Sequence, residues 1–407
     1  MKFLLKTLNK FDHLFEKGGK LESLHPLWEA QKTFLFTPDI LTKTGPHIRD
    51  SIDLKRVMIT VVAALIPATL FGIYNTGYQT ARATGNLASL EHWQIFANGA
   101  AMVVPIILVS YITGGIWEVI FAIIRKHPVS EGFLVTGLLV PLIVPPTIPL
   151  WQIVVGVSFG VVVGKEIFGG TGMNIFNPAL TARVFLFFAF PAEISGDKVW
   201  VELSPVWIPF AGGTSVVDGF TGATALLVSA AAKGTDVVSA LGAFGYHDFS
   251  LNNLAIGLIP GSIGETSAYA ILAGAAILVI TGIGSWQIII SVIAGGIGMA
   301  FFLNQFAGEG LPAILALPPL YHMAMGGFLF GAVFMATDPV TAAGTTTGKY
   351  IYGAMIGILT ILVRVWNPAY PEGMMLSIIF MNIFAPLIDH YVVQNNIKKR
   401  LKRAKKQ

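Results

Sequence analysis

A short polar segment, DGFTGAT at residues 218–224, interrupts a strongly apolar sequence and contains residues that could hold a cofactor. The segment is turn-prone and leads into the apolar run 225–232, so it predicts the start of a helix. Gly222 and Ala223 leave the backbone uncovered, which would let a bulky planar group lie against it. The hydroxyl group of Thr224 would lie near the positive end of that helix, a position that suits a phosphate group.

The segment also matches the pattern at which bacterial flavin transferases esterify FMN, through its phosphate, to threonine. That pattern is Asp-Gly-any-Ser/Thr-Gly-Ala-Thr, and all six specified positions are present here. It predicts covalent FMN on Thr224, with Asp218, Gly222 and Ala223 belonging to the flavinylation motif. The alternative is that Thr221 and Thr224 only cap a helix of small residues.

The composition is that of an integral membrane protein, because 54% of the 407 residues are hydrophobic and 12% are charged. There is no cysteine, which excludes disulfides and thiolate ligation of iron-sulfur clusters. The eight histidines show no ligand spacing, and no metal site is predicted. Any redox chemistry must therefore use a bound organic cofactor.

Apolar runs of about 20 residues, the length that crosses a bilayer, occur ten times. They begin near Val57, Gly99, Gly132, Trp151, Val184, Ser267, Trp286, His322, Tyr350 and Gly373. Prolines at 141, 145 and 146 shorten the third run, and Pro191 shortens the fifth, which predicts broken or tilted helices. The expected fold class is an all-α integral membrane protein with about ten transmembrane helices.

Two short sequence motifs each occur twice and indicate an internal repeat. GFL at 132–134 recurs at 327–329, and NPA at 177–179 recurs at 367–369, with offsets of 195 and 190 residues. With five spans in each half, the halves would form two inverted repeats. The predicted domains are a cytoplasmic N-terminal segment at 1–54, a transmembrane flavin-binding domain at 55–395 with repeats at roughly 55–230 and 255–395, and a basic cytoplasmic tail at 396–407.

Positive charge predicts the orientation in the membrane. Lys55 and Arg56 precede the first span, Arg125 and Lys126 follow the second, and the basic run 398–406 closes the chain. Both termini are therefore expected in the cytoplasm, and ten crossings place the Thr224 loop on the outer side. The basic tail is interpreted as a topology signal that contacts lipid, and no nucleic-acid role is expected.

A few acidic side chains lie in or beside the apolar runs. A charge at the bilayer centre costs at least about 2.5–3.5 kcal/mol, so each must face protein, water or a ligand. Glu118 lies well inside the second span with no opposite charge nearby in sequence, Asp338 follows the eighth span, and Asp389 ends the tenth. Structural salt bridges and a cation route are both consistent with these positions.

The loop 169–183 combines three glycines with Asn174 and Asn177, which predicts a binding loop. Asparagine amides supply paired donors and acceptors that suit a ribityl chain or a ring edge. The alternative is an Asx-turn that caps a helix with Pro178 at its first position.

Taken together, these segments resemble the Nqr B / Rnf D family, and most closely the B-type membrane component of sodium-translocating NADH:quinone oxidoreductases. The resemblance covers nearly the whole chain. Besides DGFTGAT, the words that carry it are TPDILTKTGPHIRDSIDLKR, GGIWEVIFAIIRKH, FGGTGMNIFNPAL, IPGSIGETS, FMATDPVT, NPAYPEGMML and APLIDHYVV.

The resemblance implies a redox function in the bacterial inner membrane. It implies FMN on Thr224, a non-covalent riboflavin that contacts Asn174 and Asn177, and ubiquinone as substrate near Gly114 and Gly115. It associates four acids with sodium uptake: Glu29, Glu118, Asp338 and Asp389. The implied partners are the other subunits of the Nqr complex (A, C, D, E and F), Na⁺, membrane lipid and the flavin transferase that matures the protein.

Three other functions are also consistent with the sequence at this point. A D-type subunit of the Rnf complex would share the flavinylated threonine, but such subunits start close to their first helix, and about fifty residues precede it here. A non-redox transporter or channel would explain an inverted repeat and buried acids, although it leaves DGFTGAT unexplained. A purely structural scaffold subunit predicts that no cofactor stays with the denatured chain.

Overall fold

The computed structural model is all-helical in every part of the chain that it describes. The described residues are 11–15, 18–19, 21, 25, 28, 54–126, 129, 131–203, 209–210, 217–232, 236–242, 244–245, 247–308, 310–367 and 372–405. Within them there is no β-strand, and the one bridge joins Phe244 and His247. Glu29 lies outside the described residues.

Sixteen α-helices are numbered here in chain order over the described ranges. They are α1 Asp12–Phe15, α2 Leu54–Ala83, α3 His92–Arg125, α4 Phe133–Leu142, α5 Leu150–Val162, α6 Pro178–Ala189, α7 Pro191–Ile194, α8 Ala225–Ala231, α9 Val237–Gly242, α10 Leu251–Ile256, α11 Ala268–Ile280, α12 Trp286–Asn304, α13 Pro319–Ala324, α14 Phe328–Phe330, α15 Thr346–Trp366 and α16 Met374–Ala404. Three 3₁₀ segments, Leu87–Ser89, Glu166–Phe168 and Ala313–Ala316, and a π-helix, Gly331–Met335, complete the set.

Six helical segments of the described chain are long and apolar enough to cross a membrane, and three shorter apolar helices accompany them. The long segments are α2, α3, α12, α15, α16 and residues 150–168, which extend α5 through the 3₁₀ turn. The short ones are α4, α6 and α11. The chain is therefore a multi-pass membrane protein, as the composition predicts. The arrangement of ten spans in two inverted repeats remains a prediction.

Proline limits two of the short helices at the places that the sequence indicates. Helix α4 ends at Leu142, directly after Pro141 and before the Pro145-Pro146 pair, and α6 ends at Ala189 before Pro191. Proline cannot donate a backbone hydrogen bond and clashes with the preceding turn, so a helix stops there. A bilayer tolerates such breaks only where protein or a cavity satisfies the freed backbone groups.

Glycines let two pairs of long helices approach closely. A Cβ atom at Gly77 of α2 would overlap the Ile95 carbonyl oxygen of α3. In the same way, a Cβ atom at Gly295 of α12 would overlap the carbonyl oxygen of Ala354 in α15. Small residues at such crossings increase the van der Waals contact, which drives helix association where both lipid and side chains are apolar.

Replacement of Gly295 by alanine is expected to destabilise the protein by about 1–3 kcal/mol, because the added methyl group overpacks the α12–α15 crossing. Gly298 on the same helix is the matched control, since a Cβ atom there would meet no atom within 4 Å. Thermal unfolding of both variants in detergent, followed by tryptophan fluorescence, measures the difference. Equal unfolding temperatures for G295A and G298A would contradict this packing argument.

Candidate functional site

Thr224 begins helix α8, as the sequence predicts. Its side-chain oxygen accepts a hydrogen bond from the Leu227 amide at 3.3 Å, so the residue is the N-cap. The Thr221 hydroxyl oxygen accepts from the Ala223 amide, also at 3.3 Å. The capping role that the sequence left as an alternative is therefore present, and it holds the Thr224 hydroxyl group in one place at the start of the helix.

The turn before Thr224 is held from two sides. Gly222 is buried, and a Cβ atom there would lie 2.6 Å from the Asp197 carbonyl oxygen, so a larger residue does not fit. The Nε2–H group of buried His247 donates to the Thr221 carbonyl oxygen at 2.8 Å. Asp218 itself is exposed. His247 thus fixes the motif through a contact that sequence analysis did not predict.

Thr224 lies on the wall of a cavity of about 300 Å³. The apolar part of its lining includes Phe187, Ile194 and Trp200, and the polar part includes Ser262, Glu265 and Thr266. A few polar groups in a largely apolar cavity are typical of sites for organic ligands. The cavity is formed by α6, α8 and the segment between α10 and α11, which are far apart in sequence.

A buried charge cluster forms one side of this cavity. Arg183 of α6 is 1% exposed, and its Nη2 atom lies 3.0 Å from Oε2 of Glu372, just before α16. Arg364 is fully buried and donates to the backbone carbonyl groups of His322, Met325 and Glu372. The three bonds give the nitrogen atoms of the buried Arg364 guanidinium group the partners that they require. The Arg183–Glu372 pair joins the two halves of the chain.

A second, smaller cavity of about 90 Å³ is lined by Lys165, Asn174, Asn177 and Asp338. The structure thus brings the predicted loop amides together with one of the predicted acids. Sequence analysis did not foresee the link between them: the Asn177 Nδ2 atom donates to Asp338 Oδ2 at 3.2 Å, across 161 residues.

Both asparagine amides are already hydrogen-bonded within the protein. Asn177 Oδ1 accepts from the amides of Ala179 at 2.9 Å and Leu180 at 3.3 Å, with Pro178 at the first helical position of α6. Asn174 Oδ1 accepts from the Gly172 amide, and its Nδ2 atom donates to the Phe176 carbonyl oxygen at 2.9 Å. The Asx-turn alternative is therefore present at Asn177.

Glu118 has an opposite charge next to it, although none lies nearby in sequence. The Lys165 ammonium group pairs with Glu118 Oε1 and lies 3.3 Å from Glu166 Oε1. Arg125 Nη1 in turn lies 2.9 Å from Glu166 Oε2. Glu118, Lys165 and Glu166 are each at most 5% exposed. The four residues form an alternating, neutral network, which lowers the cost of burying each charge.

Asp389 and the glycine pair line neither cavity. The Asp389 carboxylate accepts from the Gly344 amide at 2.6 Å, the Thr345 amide at 3.0 Å and the Thr345 hydroxyl group, at the start of α15. A Cβ atom at Gly114 would overlap the Phe133 ring, whereas one at Gly115 would meet no atom within 4 Å. Gly114 is thus a packing position, and Gly115 has open space beside it.

The predicted site residues therefore separate into groups. Thr224, Gly222 and Ala223 lie at or beside the larger cavity, Asn174, Asn177 and Asp338 lie at the smaller one, and Glu118 approaches the smaller one through Lys165. Among the described residues, no group of three or more His, Asp or Glu side chains could hold a metal ion.

A family model matches residues 41–398, and its description is "NQR2, RnfD, RnfE family". The chain belongs to this family. Its relatives include the B subunits of the "Na(+)-translocating NADH-quinone reductase" of Ectopseudomonas mendocina (strain ymp) and Stutzerimonas stutzeri (strain A1501), each 49% identical over 97% of this chain and 98% of the relative. The protein of the same name from Chromohalobacter salexigens is 48% identical over 98% of this chain and 96% of its own length.

The family membership confirms the resemblance that the sequence motifs indicate. In the structure, FGGTGMNIFNPAL and FMATDPVT meet at the smaller cavity, and DGFTGAT and IPGSIGETS meet at the larger one. Four of the segments that carry the resemblance thus contribute to the cavity walls.

Replacement of Glu118 by glutamine is expected to destabilise the protein by about 3–5 kcal/mol, because it leaves the buried Lys165 charge without its nearest partner. The double variant E118Q/K165Q removes both charges and should recover part of the loss. Glu131→Gln is the control, since its pair with Lys55 is partly exposed and contributes about 0–1 kcal/mol. Thermal unfolding in detergent measures all three, and equal losses for E118Q and E131Q would contradict the pairing.

The hydrogen bond from His247 to the Thr221 carbonyl oxygen should weaken at acidic pH. Burial lowers the pKa of His247, and the hydrogen bond to the Thr221 carbonyl offsets this only in part. The unfolded histidine titrates near pH 6.5, so the stability that the neutral ring contributes is complete above that pH and is lost as the pH falls below it. Hydrogen exchange at residues 220–224 is expected to increase between about pH 7.5 and about pH 5.

The control for this experiment is His247→Gln, which keeps an N–H donor but does not titrate. Its exchange at residues 220–224, corrected for the intrinsic pH dependence of the exchange rate, should stay constant over the same range. An equal acid response in wild type and H247Q would show that another group is responsible.

Proposed function

We propose that this chain is the B-type membrane subunit of a sodium-translocating NADH:quinone oxidoreductase, and that it carries FMN on Thr224. The main support for the proposal is that Thr224 lies on the wall of a cavity large enough for a ligand. The chain is also 49% identical, over nearly its whole length, to a protein of that name. Full-length likeness to B subunits, together with the long segment before α2, favours this assignment over an Rnf D-type subunit.

The residues around Thr224 fit a covalently attached flavin. The cavity of about 300 Å³ lies at the lower end of the range of small-molecule sites, roughly 300–1,000 Å³. Thr224 would carry the phosphate ester, and Phe187 and Trp200 supply the apolar surface that a flat ring needs. Buried Glu265 also lines the cavity, so a carboxyl group is part of its wall.

Flavin, when bound, supplies one-electron and two-electron redox chemistry. The chain itself contributes binding and orientation. His247 and the Thr221–Ala223 hydrogen bond fix the turn, Thr224 caps α8, and Phe187 and Trp200 give the cavity an apolar surface.

The smaller cavity does not fit riboflavin as it stands. Its volume of about 90 Å³ is far below the usual range for organic ligands and close to the space of three water molecules. The amides of Asn174 and Asn177 are also occupied by backbone and Asp338 contacts. Riboflavin binding at this position is an expectation from the family resemblance alone, and the proposed function does not depend on it.

The proposed topology has ten spans in two inverted repeats, with both termini in the cytoplasm and Thr224 on the outer side of the inner membrane. Helix packing supports the repeat: α3 packs on α5 as α12 packs on α15, and α5 packs on α6 as α15 packs on α16. In this arrangement α4 corresponds to the α14 and π-helix segment, since each begins at the phenylalanine of a Gly-Phe-Leu motif.

Electrons would pass from partner subunits to the flavin on the outer side and on to ubiquinone, coupled to sodium export. Three of the acids that the resemblance associates with sodium have protein partners here: Glu118 with Lys165, Asp338 with Asn177, Thr341 and Val340, and Asp389 with the start of α15. A cation that used them would have to displace these partners, which links ion movement to local conformational change.

Mass spectrometry on the denatured protein tests the flavin assignment. The tryptic fragment 199–233 from a native-host preparation is expected to carry the mass of an FMN ester on Thr224, with flavin fluorescence in the gel. Thr224→Val removes the esterified hydroxyl group and should abolish the adduct, whereas Thr221→Ser still matches the motif and should keep it. An unmodified wild-type fragment would reject the proposal and favour a non-redox transporter.

A further inference from the structure

Glu265 and Glu372 are two acidic residues that meet on the wall of the Thr224 cavity. Glu265 lies between α10 and α11 and is 6% exposed, and the Glu372 side chain, just before α16, is 15% exposed. The two side chains are hydrogen-bonded to each other. A carboxylate only accepts hydrogen bonds, so a hydrogen bond between two carboxyl groups requires that one of them carries a proton.

The surroundings of the two carboxyl groups hold them in contact. The Ser262 side chain forms a second hydrogen bond with Glu265. Gly327 leaves room for the Glu265 carboxyl group, since a Cβ atom there would lie 2.5 Å from Oε1. Glu372 is fixed by Arg183, whose Nη2 atom lies 3.0 Å from Oε2. Residues from separate segments of the chain therefore determine where each carboxyl group lies.

The two buried arginines near this pair do not form one salt bridge with each acid. Arg183 pairs with Glu372, whereas Glu265 forms no salt bridge with any described residue. Arg364 interacts electrostatically with both acids, but its guanidinium group donates to three backbone carbonyl groups. Two carboxylates in contact would repel each other where water is excluded, and one proton between them removes that repulsion. The contacts therefore favour one ion pair beside one protonated carboxyl pair.

We propose that Glu265 and Glu372 share one proton and form a proton-binding site on the wall of the Thr224 cavity. With this proton, Arg183 and Arg364 contribute two positive charges and the acid pair contributes one negative charge, which leaves a net charge of +1. A buried positive charge favours an anionic group in the adjacent cavity, such as the phosphate ester of FMN on Thr224. This use of the charge rests on the proposed function, whereas the shared proton does not depend on FMN.

Infrared spectroscopy tests the shared proton, because a protonated carboxyl group has a carbonyl stretching band that shifts in D₂O and a carboxylate lacks this band. The full-length chain is produced without the flavin transferase, so that no carbonyl band of attached FMN overlaps. In Glu265→Gln and Glu372→Gln, the new amide can donate the hydrogen bond, and the remaining carboxyl group is ionised beside the two arginines. Near neutral pH, each variant is expected to lose the same wild-type band.

Glu193→Gln is the matched control, because Glu193 is an exposed acid in α7, next to the cavity-lining Ile194. It should leave the band unchanged. A band that persists in E265Q or in E372Q overturns the inference, because the proton would then not be shared by the two acids.

Should E372Q not accumulate, Arg183→Gln supplies a second test. With a shared proton, R183Q leaves one positive and one negative charge in the cluster, so the band should keep its intensity. With two ionised carboxylates, R183Q would leave an excess negative charge, and a new band of a protonated carboxyl group would overturn the inference. The FMN adduct on Thr224 is measured separately in the native-host protein, so its absence would reject the proposed function without changing this band.

Discussion

The ion pair between Arg183 and Glu372 connects two walls of the larger cavity that are far apart in sequence. Arg183 belongs to α6 and is buried, and the membrane interior offers no water to solvate it. The guanidinium group therefore needs a carboxylate from the other half of the chain, and this need fixes α6 against the start of α16. A second tie, from Asn177 to Asp338, joins the same helix to the segment before α15. The first pair lines the larger cavity and the second pair lines the smaller one.

The two cavities differ in volume and in the residues on their walls. Around the smaller one, the asparagine amides, Asp338 and Lys165 already have protein partners, so its polar groups stabilise the fold as it stands. The larger one reaches the volume range of organic-ligand sites, and the Thr224 hydroxyl group, which accepts from the Leu227 amide, lies on its wall. The larger cavity is therefore the better candidate for a cofactor site.

Charge balance also explains how acids are accommodated among apolar helices. Glu118, Lys165, Glu166 and Arg125 alternate in sign from buried Glu118 to Arg125 at the end of α3, which is cytoplasmic in the proposed topology. Each charge compensates its neighbour, so the network as a whole is neutral. Asp389 is stabilised differently, by backbone amides and a hydroxyl group at the start of α15, where the helix dipole favours a negative group.

The sequence alone determined the class of the protein and much of its helix pattern. Apolar runs and prolines predicted where helices such as α4 and α6 end, because hydrophobicity and helix breaking are local properties, and DGFTGAT marked Thr224 for the same reason. Only the tertiary structure decided which buried groups are partners. Glu118 has no nearby opposite charge in sequence but meets Lys165, and Asn177 meets Asp338 across 161 residues. It also decided that the amides of Asn174 and Asn177 are already hydrogen-bonded and that Thr224 lies on a cavity wall. Such pairings depend on how distant helices cross, and no local pattern of residue types encodes that geometry.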